Sequence, residues 1–117
     1  MGTKHKTPEH PTPLTFQILL ALADSNRHGY GIIKEIEERE GEGSAPNTGA
    51  LYLALQRMEA DGLIQDAPTP RDGTGDARRR YYRITAKGKR VAGAESARLA
   101  SLVAAAREKH LLAPGDA

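Results

Sequence analysis

The sequence of 117 residues predicts a mainly α-helical fold that contains one small two-stranded β-hairpin. Two observations carry this prediction. Apolar residues recur at helical spacing in four segments, and the segments LIQDA and RRRYYRIT have strand composition and flank a region rich in proline and glycine. The element order is therefore three helices, a hairpin and one long helix. A chain of this length is expected to form a single domain.

The first two helices have recognisable start and stop signals. Thr12 is the expected N-cap of the first helix, and Pro13 stands in its first turn, where a missing N–H costs nothing. This helix, in TPLTFQILLALADSN, is apolar almost all round, which predicts burial in the core or partly in a subunit contact. The second helix lies in HGYGIIKEIEEREGEG, where Ile33 and Ile36 recur at helical spacing and Gly41 follows.

The third helix is expected to begin at the N-cap Asn47 and to end at Asp61-Gly62, because glycine adopts the left-handed conformation that ends many helices. Its inward stripe is expected to consist of Leu51, Ala54, Leu55 and Met58. The two strands follow, joined by PTPRDGTGD. Alternation along the second strand predicts that Arg78, Arg80, Tyr82 and Ile84 share one side.

The final helix is expected to run from the N-cap Thr85 to about Leu112, with Pro114-Gly115 closing it. It has a thin apolar side and nothing downstream to cover it, which favours contact with a second copy of the chain; the alternative is that it folds back on its own domain. The residues expected in this dimer contact are Leu14, Ile18, Val91, Leu99, Leu102, Val103 and Ala106.

These elements divide the chain into four parts. Residues 1–11 are expected to form a flexible tail, 12–85 the domain of three helices and a hairpin, 86–112 a dimerisation helix and 113–117 a short tail.

The charge of the chain is unevenly distributed. The formal net charge is only +2, yet residues 78–90, RRRYYRITAKGKR, hold seven basic residues and no acidic one. Such clustering is typical of a surface that binds a polyanion, although a solvated charged strand is the alternative.

Several function classes are disfavoured by composition. The chain has no cysteine, which excludes thiolate chemistry and favours a reducing cytoplasm. No apolar run approaches the ~18 residues that a membrane span needs, so no membrane partner is expected. An enzyme is disfavoured because no serine stands in a His/Asp pattern and no glycine-rich phosphate loop occurs. The four histidines are scattered, so neither a metal site nor a cofactor is expected.

Three helices followed by a hairpin form the winged variant of the helix-turn-helix, whose second motif helix enters the major groove of DNA. In an α-helix each residue is rotated by 100° from the one before it. If the stripe of the third helix faces the core, six other residues of this helix point away from the core or to its flank: Thr48, Gly49, Tyr52, Leu53, Gln56 and Arg57. Glutamine can pair with an adenine edge, and arginine with guanine or a phosphate. Tyr52 as a core-edge residue and Arg57 as a solvated charge are the alternatives.

The hairpin is expected to supply a second contact with DNA. Its arginines, Arg71, Arg78, Arg79 and Arg80, have the chemistry to bind phosphates or to enter the minor groove. The DNA-binding set is completed by the N-cap Asn47 at the positive end of the third helix. A winged-helix module that binds a protein and does not read DNA remains the alternative.

The motifs HGYGI, ALYLALQRMEADGLI and RRRYYRITAKGKR, in this order, closely resemble the PadR-like winged-helix transcriptional regulators over about residues 14–92. The resemblance implies a homodimeric repressor that a small aromatic ligand relieves and whose C-terminal helix forms much of the dimer contact. The two-fold symmetry of such a dimer predicts a palindromic operator in double-stranded DNA. By motif position, Asn47, Thr48 and Tyr52 match DNA-contacting residues of the family, and Tyr30 matches the tyrosine of its second helix. Leu53 replaces the proline common in the family, and the chain lacks the tryptophan of relatives that bind flat drugs.

Overall fold

A computed structural model of the protein describes residues 10–70 and 79–113. Along the chain the elements are α1 (Pro13–Leu22), β1 (Arg27–His28), α2 (Gly29–Glu40), α3 (Thr48–Ala60), β2 (Ile64–Ala67), β3 (Tyr81–Ile84) and α4 (Ala86–Glu108). The predicted fold class, mainly helical with a small antiparallel sheet, is confirmed.

The sheet has three strands in the order β1-β3-β2, one more than the sequence predicted. The predicted hairpin is the antiparallel pair β2 and β3, with Ile64 opposite Ile84, and is called the wing below. On its other edge β3 pairs with β1, where His28 lies opposite Tyr81. The strand β1 has only two residues, so it is too short for alternation to reveal it.

The N-caps predicted for three helices are confirmed. A side-chain oxygen of Thr12 accepts from the N–H of Thr15 at 3.2 Å. Asn47 accepts from Ala50 at 2.9 Å, and Thr85 accepts from Gly88 at 3.0 Å. Each bond satisfies a backbone donor that the helix itself leaves unpaired. The same local chemistry therefore sets the starts of α1, α3 and α4.

The ends of α2 and α3 are also as predicted, whereas α4 ends earlier than expected. Gly41 (φ +114°) and Gly62 (φ +76°) stand directly after or near the ends of α2 and α3. The helix α4 stops at Glu108, not near Leu112, because His110 adopts φ +62°. The N–H of Leu111 then bonds back to the carbonyl of Ala106 at 2.9 Å, which closes the last turn.

The core lies between the first three helices and the sheet. Among the described residues, its largest fully buried side chains are Ile18, Leu19, Leu22, Ile32, Leu51, Leu55, Met58 and Ile64. Ile18, expected in a dimer contact, has no exposed surface and belongs to this core, so that expectation is corrected. An apolar helix at the centre of a small domain is covered by its own chain.

Both tyrosines of β3 are buried, which simple alternation does not predict. Tyr82 joins the core with 4% of its surface exposed, and Ile84 packs beside it. Tyr81 is 6% exposed because the His28 ring lies edge-on against it, with centroids 5.1 Å apart. Arg80 precedes the strand and is exposed.

The start of α4 is fixed against the sheet by a close backbone approach. A Cβ on Gly88 would lie 2.2 Å from the carbonyl oxygen of Leu63 and 2.7 Å from Cγ1 of Ile84. Nearby, the Thr85 hydroxyl donates to the carbonyl of Gly62 at 2.6 Å. Only glycine permits this contact, so Gly88 sets the direction in which α4 leaves the domain.

We expect Gly88→Ala to lower the free energy of unfolding by at least about 2 kcal/mol, because backbone cannot yield to the new methyl group. Gly93→Ala is the matched control in the same helix, since nothing lies within 4 Å of a Cβ there. It should raise stability by about 0.5–1 kcal/mol. Urea denaturation at one fixed protein concentration measures the stability of both variants. An equal change in the free energy of unfolding in the two would contradict the close contact assigned to Gly88.

Candidate nucleic-acid interface

The helix α3 has one buried face and one exposed face. Its inward stripe is confirmed, with Leu51, Leu55 and Met58 at 0%, 1% and 2% exposure. The residues expected to point away from the core are all exposed: Thr48, Gly49, Tyr52, Leu53, Gln56 and Arg57. Leu53 leaves 52% of its surface in solvent on the same face. The predicted orientation of α3 is therefore correct.

A groove of about 380 Å³ runs between α3 and the wing. Its α3 side is formed by Gly49, Tyr52, Leu53, Gln56 and Glu59, and its wing side by Arg80 and Tyr82. Glutamine, arginine and glutamate provide donors and acceptors along its walls. The surface called the α3 groove below consists of these seven residues.

Tyr52 is held in place by a glycine of α2. A Cβ on Gly29 would lie 2.2 Å from the Tyr52 hydroxyl oxygen and 2.6 Å from its Cζ. Gly29 is buried, whereas Tyr52 is still 46% exposed. The ring therefore packs its outer edge on the start of α2 and offers the rest to solvent. This contact gives a physical reason for the glycine in HGY and the tyrosine in ALY.

A second polar cluster lies where α2 begins, beside the wing. The Nδ1 atom of His28 accepts from the N–H of Gly31 at 3.0 Å, so a histidine caps α2. Arg79 brings Nη1 within 2.8 Å of Nε2 of His28, and its guanidinium carbon lies 5.8 Å from the Tyr30 ring centroid. Lys34 approaches the same ring, with Nζ at 6.0 Å. Tyr30, 55% exposed, is thus flanked by two cations.

Sequence reasoning missed the histidine and the lysine of this cluster. The i,i+4 spacing of Tyr30 and Lys34 on α2 was the available signal for one of them. The cap made by His28 had no such signal, because histidine is uncommon as an N-cap.

Arg80 forms ion pairs with carboxylates of its own chain, whereas the sequence predicts that it contacts DNA. Its guanidinium pairs with Asp66 at 2.6 Å and with Glu59 at 2.7 Å, and its central carbon lies 5.4 Å from the Tyr82 ring centroid. The hydrogen bond from Arg80 lowers the pKa of Asp66 below its ordinary value. Burial raises the pKa of the Tyr82 hydroxyl.

The other basic residues expected at the interface have different surroundings. Arg57 is exposed, and among residues 10–70 and 79–113 its side chain has no hydrogen-bond or ion-pair partner. The side-chain oxygen of Asn47 is used by the cap of α3. The expected contacts Arg71 and Arg78 lie outside the described residues.

The residues expected in a dimer contact fall into two groups. Leu14 and Val91 are half-buried against the core of their own chain. Farther along α4, Leu99, Val103 and Ala106 are half-buried, and Leu102 is 54% exposed. The distal half of α4 therefore carries apolar side chains that its own chain leaves partly uncovered.

In the part of the chain that the structure describes, no group of histidine, aspartate or glutamate side chains is arranged to hold a metal ion. None of the helices described there is both long and apolar enough to cross a membrane.

The three helices, the wing and an exposed face on α3 together define a winged helix-turn-helix protein. A family model described as the transcriptional regulator PadR-like family matches residues 18–94. This match covers more than half of the chain, which therefore belongs to the PadR-like family of transcriptional regulators. The enzyme alternative is set aside by this membership.

Individual relatives agree with the family. The chain is 39% identical over 72 residues to a transcriptional regulator of Mycobacterium tuberculosis, covering 62% of each. It aligns with less than two thirds of the length of the curated relatives that it matches.

Solved structures of relatives share the fold. A PadR family transcription regulator from Clostridium difficile superimposes with a TM-score of 0.67 at 25% identity, over 81% of this chain and 95% of that one. PadR of Bacillus subtilis, solved in complex with operator DNA, is similar with a TM-score of 0.53 at 26% identity, over 66% of this chain and 42% of that one.

We expect Gly29→Ala to lower the free energy of unfolding by about 1–3 kcal/mol, because the new methyl group displaces the Tyr52 ring. Gly31→Ala is the control on the same helix, since its Cβ would find its nearest neighbour at 3.5 Å. A double-mutant cycle with Tyr52→Ala tests the cause by denaturation. Most of the cost of Gly29→Ala should disappear when the ring is absent, and strictly additive costs would refute the contact.

Proposed function

We propose that the protein is a homodimeric repressor that binds a palindromic operator in double-stranded DNA. The observation that carries this proposal is the exposed polar face of α3, opposite its buried stripe and beside the wing. A B-DNA major groove about 12 Å wide accepts one helix with such a face. The Bacillus subtilis relative solved in complex with operator DNA supports a DNA partner for this chain. The proposed location of this DNA-binding repressor is the cytoplasm.

Side-chain chemistry separates the residues that we propose to contact bases from those that we propose to contact phosphates. On α3, Gln56 has paired donors and acceptors for an adenine edge, and Leu53 is positioned to pack on a thymine methyl. Thr48 and Gly49, at the positive end of the helix, suit a phosphate. Arg79 is assigned to phosphates or the minor groove, as are Arg71 and Arg78, which lie between β2 and β3 in the sequence. These contacts position the protein without reading sequence.

The dimer is proposed to form through the distal half of α4. Support comes from its partly uncovered apolar side chains, which a second copy of α4 would remove from water. Two-fold symmetry then requires half-sites about one helical turn apart, near 34–36 Å. Relief of repression by a small aromatic ligand completes the proposal and rests on the family resemblance alone.

We expect Gln56→Ala to cost about 1–3 kcal/mol of binding free energy, mainly at one base position of the operator. Fluorescence anisotropy with a panel of single-base operator variants, taken from DNA flanking the gene, measures the effect. Gln65→Ala is the control, since this exposed glutamine of β2 lies outside the α3 groove. An equal loss on every operator variant would remove Gln56 from base reading. No salt-dependent binding by the unaltered protein would favour a protein-interaction module instead.

We expect Leu102→Glu to convert the dimer to a monomer, because a carboxylate would be buried in an apolar contact. Ser101→Glu is the control, since Ser101 is exposed and points about 100° away on the same turn. Analytical ultracentrifugation gives both masses. A dimer that persists in Leu102→Glu would take this face of α4 out of the interface.

A further inference from the structure

Arg80 joins three elements at one guanidinium group. Its Nε donates to Oδ1 of Asp66 on β2 at 2.6 Å, and its Nη2 donates to Oε2 of Glu59 on α3 at 2.7 Å. Arg80 itself directly precedes β3. A planar guanidinium with donors on separate edges can bridge two carboxylates in this way, whereas an ammonium group cannot hold the same geometry.

The face of the same guanidinium is also occupied. It lies over the ring of Tyr82, with 5.4 Å from its central carbon to the ring centroid. Tyr82 is anchored in the core, so the ring is a fixed platform for the arginine. Arg80 is therefore constrained by two ion pairs and one cation–π contact, although its side chain is 56% exposed.

The place of this ion pair in the α3 groove makes the constraint relevant to DNA. Glu59 and Arg80 line the α3 groove together with Gly49, Leu53 and Gln56. A carboxylate at such a position repels phosphates unless a cation neutralises it. Without Arg80, the groove would carry Glu59 uncompensated, with Asp66 nearby on β2.

We propose that Arg80 is a positioning residue of the DNA-binding surface: it ties the wing to α3 and neutralises Glu59 and Asp66, and it makes no phosphate contact of its own. This inference rests on the proposed function. It reassigns a residue that composition alone places among the phosphate-binding arginines. Arg57, exposed on α3 and without a described partner, is the contrasting arginine on the same surface.

The salt dependence of DNA binding separates the two roles. Each lost phosphate contact reduces the slope of log K against log salt concentration by about 0.9. We expect Arg80→Ala to weaken binding at least about threefold at fixed salt while changing this slope by less than about 0.5. Arg57→Ala is the matched comparison and should reduce the slope by about 0.9. A slope change of that size in Arg80→Ala would overturn the proposal.

Charge removal at the partners supplies a second test. The variant Glu59→Gln/Asp66→Asn/Arg80→Ala should bind within about threefold of the unaltered protein, because no uncompensated carboxylate remains. The variant Glu59→Gln/Asp66→Asn should bind more tightly, with a slope steeper by up to about 0.9, because Arg80 is released as a cation beside the groove. If the triple variant bound DNA as weakly as Arg80→Ala does, the uncompensated carboxylates would not be the cause of that loss and the proposal would fail.

A measurement without DNA separates this proposal from the proposed function. The pKa of Asp66 lies below its ordinary value because of the hydrogen bond from Arg80. Carboxyl ¹³C NMR titration should therefore show the pKa of Asp66 rising in Arg80→Ala, and Arg57→Ala should leave it unchanged. An Asp66 pKa that does not respond to Arg80→Ala refutes the bridge. Absence of DNA binding by the unaltered protein would refute the proposed function. The titration would still test whether Arg80 bridges Glu59 and Asp66.

Discussion

The burial of one face of α3 is the constraint on which the rest of the structure depends. Leu51, Leu55 and Met58 fill the space between α1, α2 and the sheet, and they remove almost all of their surface from water. At roughly 25 cal/mol per Å² of apolar surface, such burial outweighs any single surface contact described above. Because the stripe fixes the rotation of α3 about its own axis, it also fixes which side chains face outward. The candidate interface is thus a by-product of core packing.

The two tight glycines extend this constraint to the neighbouring elements. Gly29 lets the Tyr52 ring lie directly on the start of α2, and Gly88 lets α4 begin against the carbonyl of Leu63. In both places a missing side chain permits two elements to approach more closely than any other residue would allow. The glycines in HGY and AKG are therefore packing requirements that orient α2 and α4 relative to the helix proposed to enter DNA.

The sequence predicts those features of the fold and the candidate interface that depend on residues close together in the chain. The caps at Thr12, Asn47 and Thr85 and the inward face of α3 follow from residues within one or two turns, and the sequence predicts them correctly. Contacts made across the fold have no local signal. Arg80 meets Glu59 and Asp66 from 21 and 14 residues away, so its sequence neighbours suggest a solvent-facing cation.

The sequence also fails to predict the edge strand of the sheet and the end of the last helix, because neither has a local sequence signal. The strand β1 exists only because β3 offers it an edge, since two residues carry no periodic signal. The helix α4 ends two residues before His110, a non-glycine residue with positive φ that composition does not predict. The polar cluster at the start of α2 was missed for the same reason, because Arg79 reaches Tyr30 and His28 only through the pairing of β3 with β1.

The anchoring of α4 at Gly88 has a mechanical consequence. The helix has 23 residues, so at 1.5 Å per residue it is a rod about 34 Å long that is clamped at one end. A tilt of about 5° at the clamp would carry the free tip about 3 Å, close to the rise of one base pair. In an assembly joined through the far turns of this rod, the angular stiffness of the contacts of α4 with β3 and α1 would govern how well the two copies of α3 match the spacing of the double helix.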